Sequence, residues 1–234
     1  MSALLERLRG GLIVSVQASP GSALDDPHVL AAIARAAEDG GAVGVRVAGL
    51  RNLHAVRERV SVPIVGIVKR AYDGYAPYIT PTLLEVREAL SGGADIVAFD
   101  ATARPRPGGI GPAELIAAIH HGGALAMADC ADAEDGAAVR ASGADIVATT
   151  LCGYTERTRS FPLPALDVVR AFSKLDAFVV CEGGIHSPQA GQAALHAGAD
   201  AIVVGTAITN TQWLVGEFAA SLQKAWRARK SSKN

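Results

Sequence analysis

The chain has 234 residues, 50% of them hydrophobic and 5% aromatic, and its 22 Lys and Arg against 23 Asp and Glu leave a net charge of -1. That length suits one large α/β domain with its own core, and the near-neutral balance without a block of like charge excludes nucleic acid as the main partner, because backbone binding needs a basic face. No apolar run is long enough to span a bilayer, and three cysteines without metal-type spacing, Cys130, Cys152 and Cys181, point to a reduced, cytoplasmic setting.

Residues 4–8 are leucines interrupted by Glu6 and Arg7, which predicts a short amphipathic N-terminal helix and not a secretory core. Eight short apolar runs follow, at 12–16, 42–47, 64–68, 95–99, 124–128, 145–148, 177–180 and 201–204. Segments with helical spacing lie between them, such as Val29, Ile33 and Ala37, or Leu83, Val86 and Leu90, so the order is βα repeated. Four helix starts are punctuated by a capping residue before proline: Asp26, Thr80, Gly111 and Ser187. An internal echo runs through GADIVAFD from Gly93, GADIVATT from Gly143 and GADAIVVG from Gly198. Eight such units close most simply into a (β/α)8 TIM barrel over residues 1–234. The alternative is an open doubly wound sheet, which would need a glycine-rich dinucleotide fingerprint that the first strand lacks. In this register Asp95, Asp145 and Asp200 stand at strand entrances, the face that serves stability.

The strand exits carry the chemistry. In chain order they hold Gln17, Arg46, Lys69, Asp100, Asp129, Thr149 with Thr150, Glu182, and Gly205 with Thr206. A barrel gathers these around one mouth, where an acid, a base, a cation and amide-type groups converge. The run PIVGIVKR matters most, since a strand buried on both faces ends on a lysine, Lys69. Gly183 and Gly184 after the seventh strand, with Gly205 and Thr206 after the eighth, occupy the place where barrels cup a phosphate with backbone N–H groups. A side chain there would block the approach, so a phosphorylated ligand is expected.

The six histidines fall mostly on helices or their ends, and only Asp100, Asp129 and Glu182 are placed to coordinate, so no metal is expected. The cysteines lie near the exits without a base placed to activate them and read as packing residues. Leu214, Phe218, Leu222 and Trp226, spaced by four, pack the last helix on the barrel or on a second subunit, and the basic residues from Arg227 to Lys233 cap its carbonyl end.

With these residues in hand, the chain resembles the N-acetylmannosamine-6-phosphate 2-epimerases over nearly its whole length. The stretches that carry the resemblance are LIVSVQA at Leu12, GAVGVRV at Gly41, PIVGIVKR at Pro63, YITPTLLEV at Tyr78, DIVAFDATARPRP at Asp95, AMADC at Ala126, TTLCGYT at Thr149, CEGGIHSP at Cys181 and VVGTAIT at Val203. The resemblance implies a cytoplasmic (β/α)8 enzyme of sialic acid catabolism, a homodimer, that interconverts N-acetylmannosamine 6-phosphate and N-acetylglucosamine 6-phosphate without metal or cofactor. It matches Lys69 and Glu182 to the family's catalytic lysine and glutamate, and Gln17, Arg46 and Asp129 to substrate contacts, with Thr150 beside them. Where many members carry an arginine after the VVGTAIT stretch, Asn210 stands here, shorter and neutral but still able to hydrogen-bond to substrate. Two other readings stay open: a different phosphosugar isomerase or lyase on the same barrel, and a sugar-phosphate binding protein without turnover.

Overall fold

The structure, a computed structural model, describes residues 2–231. After α1 (Ala3–Leu8) come β1 (Leu12–Val16), α2 (Pro27–Asp39), β2 (Gly44–Ala48), α3 (Leu50–Arg57), β3 (Ile64–Ile67), α4 (Leu83–Ser91), β4 (Ile96–Asp100) and α5 (Pro112–His121). The chain continues through β5 (Leu125–Asp129), α6 (Ala133–Ala141), β6 (Ile146–Ala148), α7 (Leu166–Phe172), β7 (Phe178–Glu182), α8 (Pro188–His196), β8 (Ala201–Val204), α9 (Thr206–Thr209) and α10 (Thr211–Ser231). All eight strands are parallel and close in chain order, with β8 pairing to β1 through Leu12 and Ile202. The eight-strand barrel read from the apolar runs is therefore the one formed. No helix among the described residues is long and apolar enough to cross a membrane.

Side-chain alternation splits the core in two. Ile13, Val65, Ile67, Ile96, Ala98, Met127, Ile146, Phe178, Val180 and Val203 fill the barrel interior, while Val14, Val16, Val45, Val47, Val97 and Val179 meet the helices outside. Following the inward phase to the end of each strand leads to Gln17, Arg46, Lys69, Asp100, Asp129, Thr150, Glu182 and Gly205. The same period that packs the barrel thus delivers polar groups to its mouth.

Three of the four expected helix starts hold: Asp26 accepts from the amides of His28 and Val29, Ser187 from Ala190, and Gly111 precedes Pro112. The fourth is displaced. Thr80 has φ +45° and turns into the core, and α4 instead begins after Thr82, which forms a reciprocal capping box with Glu85. At the other end of the chain α10 runs for 21 residues, about 31 Å at the helical rise. Of the predicted stripe, Phe218, Leu222 and Trp226 are exposed, with Val215 beside them, so they do not pack on the barrel of their own chain, whereas Leu214 is half-buried. Arg229 and Lys230 occupy its last turn as the charge pattern suggests, whereas Lys233 lies outside the described residues.

The repeated GAD motif has a physical cause at the bottom of the barrel. Each aspartate stands before its own strand and accepts a backbone N–H from the strand before it: Asp95 from Ile64, Asp145 from Ala126 and Asp200 from Val179, each at 2.8 Å. A basic side chain meets each carboxylate from outside, namely Arg57 at 2.9 Å, the His120 ring at 2.7 Å, and Arg9. The three aspartates strap alternate strand pairs together. Helix α1 closes the same end with buried Leu5 and Leu8, and Arg9 lies over the Phe178 ring at 5.4 Å. Replacing Asp145 with alanine leaves the Ala126 N–H without its acceptor, so a loss of about 1–3 kcal/mol in denaturant unfolding is expected, with kinetic constants unchanged.

Candidate active site

Strand ends and the loops after them enclose a cavity of about 240 Å3 lined by Gln17, Arg46, Lys69, Thr150, Glu182, the glycines 183, 184 and 205, and Thr206. Of the eleven residues assigned to catalysis, substrate contact or phosphate, nine thus line one cavity. The other two are placed differently. Asp129 is fully buried behind the wall, enclosed by Arg46 and Thr150, and Asn210 borders a neighbouring groove that shares only Gln17 and Lys69 with the mouth. The Asn210 carboxamide oxygen accepts from the Trp213 amide at 3.0 Å and so caps the start of α10. A short side chain next to a helix start is drawn to that helix's unpaired amides, which explains why it does not extend to the mouth.

Arg46 organises the floor of the site. Its guanidinium forks onto Asp129 at 3.0 and 2.6 Å, and one nitrogen also donates to Glu182 at 2.7 Å. The Thr150 hydroxyl touches the same two carboxylates, at 2.7 Å from Asp129 and 3.1 Å from Glu182. Thr149 fixes the Glu182 backbone on both sides, accepting its N–H at 3.0 Å and donating to its carbonyl at 2.9 Å. Burial of this fork is near total, with Arg46 1% and Asp129 0% exposed, which is tolerable only because each charge has a partner.

The two groups expected to move protons are pushed in opposite directions. Lys69 is accessible in the open mouth, but the surrounding walls desolvate its amine and lower its pKa, and Arg46 adds repulsion that Glu182 and Asp129 oppose. Burial raises the pKa of Glu182 and the charge of Asp129 adds to this, against the pull of Arg46. Moving one proton from Lys69 to Glu182 leaves the four-group site at the same total charge. Both shifts narrow the gap between the two groups, the direction that favours a neutral amine beside a protonated carboxyl.

The glycines owe their identity to more than ligand approach. Gly183 and Gly184 have φ of +106° and +71°, and a Cβ on Gly184 would lie 2.4 Å from that of Leu163. On Gly205 it would come within 3.1 Å of Ser15. Tight loop geometry and packing exclude side chains at these positions, and the exposed backbone follows from that. Among the described residues, the buried Gln17 Oε1 lacks a hydrogen-bond partner, while its Nε2 donates to Ser15 Oγ at 2.7 Å, so an acceptor is left open for a ligand hydroxyl or amide.

Sequence reasoning missed Ser15, Tyr78, Tyr154 and His186, which also line the cavity. Ser15 was available from alternation along β1, two residues before Gln17, but the tyrosines arrive on long loops. His186 stacks on Trp213, with ring centroids 5.1 Å apart, across the boundary between mouth and groove. The carboxylate at the fourth exit is otherwise engaged: Asp100 is buried and held by Thr102, Arg104 and Arg106. All three cysteines are buried, and burial pushes Cys152 up to about 12 and Cys181 to about 11, as suits inert packing thiols.

A family profile described as "Putative N-acetylmannosamine-6-phosphate epimerase" matches residues 30–224. Relatives described as "Putative N-acetylmannosamine-6-phosphate 2-epimerase" include one from Salmonella arizonae, 46% identical over 92% of this chain and 93% of its own. Another, from Caldanaerobacter subterraneus, is 40% identical over 94% of both. The solved N-acetylmannosamine-6-phosphate 2-epimerase of Clostridium perfringens superposes with a TM-score of 0.90 at 37% identity, covering 94% of this chain and 96% of that one. Agreement this extensive, in sequence and in backbone alike, makes the chain a member of the N-acetylmannosamine-6-phosphate epimerase family.

Proposed function

We propose that this protein inverts C2 of N-acetylmannosamine 6-phosphate to give N-acetylglucosamine 6-phosphate, with Lys69 as the base and Glu182 as the acid. The observation that carries this reading is the convergence of both side chains on one cavity with their proton affinities driven towards a neutral amine and a neutral carboxyl. A proton at C2 is acidic only next to a carbonyl, so the sugar reacts in its open-chain form with an aldehyde at C1. Lys69 takes the C2 proton, the C–H electrons form the C1–C2 double bond, and the carbonyl pair moves to O1, which takes a proton from Glu182. The resulting enol, which keeps its acetamido group on C2, is planar there. Rotation about the C2–C3 bond turns the other face of C2 towards the Lys69 ammonium, which gives its proton back to carbon while Glu182 takes the proton from O1, so the inversion is complete and both groups return to their starting state. Strands β3 and β7 are four apart in a ring of eight, so these groups approach the reacting plane from opposite walls.

The remaining residues serve binding. Gly183, Gly184, Gly205 and Thr206 form the part of the wall suited to the phosphate, where backbone N–H groups can face an anion. Gln17 offers its open acceptor to the sugar, and Arg46 with Asp129 and Thr150 holds Glu182 in place. Proton exchange at C2 in deuterated water, followed by NMR with either sugar phosphate, tests the assignment; deuterium should enter C2 as the epimers interconvert, and no exchange at high protein concentration would reject it. Lys69→Ala should lower kcat by roughly 10²- to 10⁴-fold with ligand binding mostly kept, and Glu182→Gln should also lower kcat because an amide has no such proton to give. A Lys69→Ala protein with wild-type kcat and raised KM would reduce the lysine to a gripping role.

A homodimer belongs to the same proposal. The apolar stripe on α10 from Val215 to Trp226 is exposed, and a contiguous patch of this kind is the signature of an interaction face, most often with a second copy of the same chain. Light scattering at micromolar concentration should give twice the chain mass, and the double substitution Phe218→Glu with Leu222→Glu should halve it; a monomeric wild type rejects this part.

A further inference from the structure

The connection from β3 to α4 is a folded-back arm and not a plain loop. Lys69 pairs antiparallel with Ile79, and Tyr72 with Tyr75. The Arg70 N–H donates to the Tyr78 carbonyl at 2.9 Å and the Thr80 N–H to the Val68 carbonyl at 2.8 Å. Glu85, in the first turn of α4, is fully buried at the foot of this arm. Its carboxylate accepts from the Arg70 guanidinium, from the Tyr72 hydroxyl at 2.9 Å, and from the amide and hydroxyl of Thr82 at 3.0 and 2.5 Å. The other nitrogen of Arg70 reaches Glu88 at 2.9 and 3.1 Å. One carboxylate thus ties the outgoing arm to the end of the returning one. Thr80 secures the turn from the inside, donating to the Ala98 carbonyl at 2.6 Å.

We infer that Glu85, acting through Arg70, is a positioning residue for Lys69. The inference rests on the reading of Lys69 as the base, and Glu85 itself does not reach the substrate. In an extended segment successive side chains point to opposite faces, so holding Arg70 against α4 on the outside directs Lys69 to the inside. Four groups surround that amine: Arg46 from β2, Asp129 from β5, Glu182 from β7, and Tyr78 on the returning arm. Burial alone would raise the pKa of Glu85, but the hydrogen bonds from Thr82 and Tyr72 and the charge of Arg70 outweigh it and lower the value, so the clamp is ionised at neutral pH. Once the arm loosens, Lys69 moves away from the desolvating walls and from Arg46, and it then keeps its proton to higher pH. Less of it is neutral and competent at pH 7.

The test compares wild type, Glu85→Gln, Arg70→Lys and Lys69→Ala, with the lysine side chains carbon-13 labelled so that Lys69 can be titrated by NMR. Misplacing a base by about 1 Å can cost on the order of 10²-fold, so kcat in the first two variants should fall roughly 10- to 100-fold with KM within about twofold. The pH of half-maximal kcat and the Lys69 titration should both move upwards. Arg70→Lys guards against misfolding, because Arg70 is 37% exposed and its replacement keeps the charge while removing the fork. Wild-type kcat in both variants, or a fall in kcat with the Lys69 titration unmoved, overturns the inference. Full activity in Lys69→Ala would instead strike the base assignment, and the titration of Lys69 in Glu85→Gln would still decide whether Glu85 sets its environment.

Discussion

The structure depends at its upper layer on one guanidinium. Arg46 lies inside the barrel wall with two carboxylates on it and an amine nearby. Removing it would leave Asp129 and Glu182 facing each other in low dielectric, a change of the kind that costs about 3–5 kcal/mol when a buried pair is broken. Its influence on Lys69 is of opposite sign: it holds the carboxylates in place by attraction and favours the neutral amine by repulsion. A single cation thereby supports the fold and, second to burial, acts on the proton affinities of both the amine and Glu182.

The two ends of the barrel use charge differently. At the bottom each aspartate has a backbone amide and an external basic side chain, and every partner lies within one strand of it or just outside the sheet. At the top the charges come from distant strands and meet in the interior, 83 residues apart for Arg46 and Asp129 and 136 for Arg46 and Glu182. Local satisfaction stabilises without constraining chemistry. Convergent satisfaction gathers a carboxylate, a guanidinium and an amine around one cavity.

This difference decides what can be read from the sequence. The strands are legible because parallel strands covered on both faces are continuous apolar runs, and their exits are legible because such a run can end on a polar residue only where solvent or a site accepts it. The GAD repeat is legible for a similar reason, since each copy performs the same local bond. Partnership is not: nothing in the spacing of Arg46, Asp129 and Glu182 shows that they form one fork or that Asp129 lies behind it. Pro81 suggests a helix start at Thr80, but the β3–α4 arm requires a turn there, and the capping box at Thr82 and Glu85 wins. Asn210 is misplaced by analogy with a longer side chain, and the four-residue period of α10 marks an apolar face without saying what covers it.

The side chains that fill the barrel interior, with α1 laid under them through Leu5, Leu8 and Arg9 across Phe178, make the site a cup with a solid base. Traffic has one doorway. Under the proposed activity each sugar phosphate enters and leaves by the mouth that the other uses, so the two epimers exclude one another as simple competitors. Net flux then follows their concentration ratio relative to its equilibrium value, and whichever epimer is in excess occupies the doorway and slows the arrival of the other.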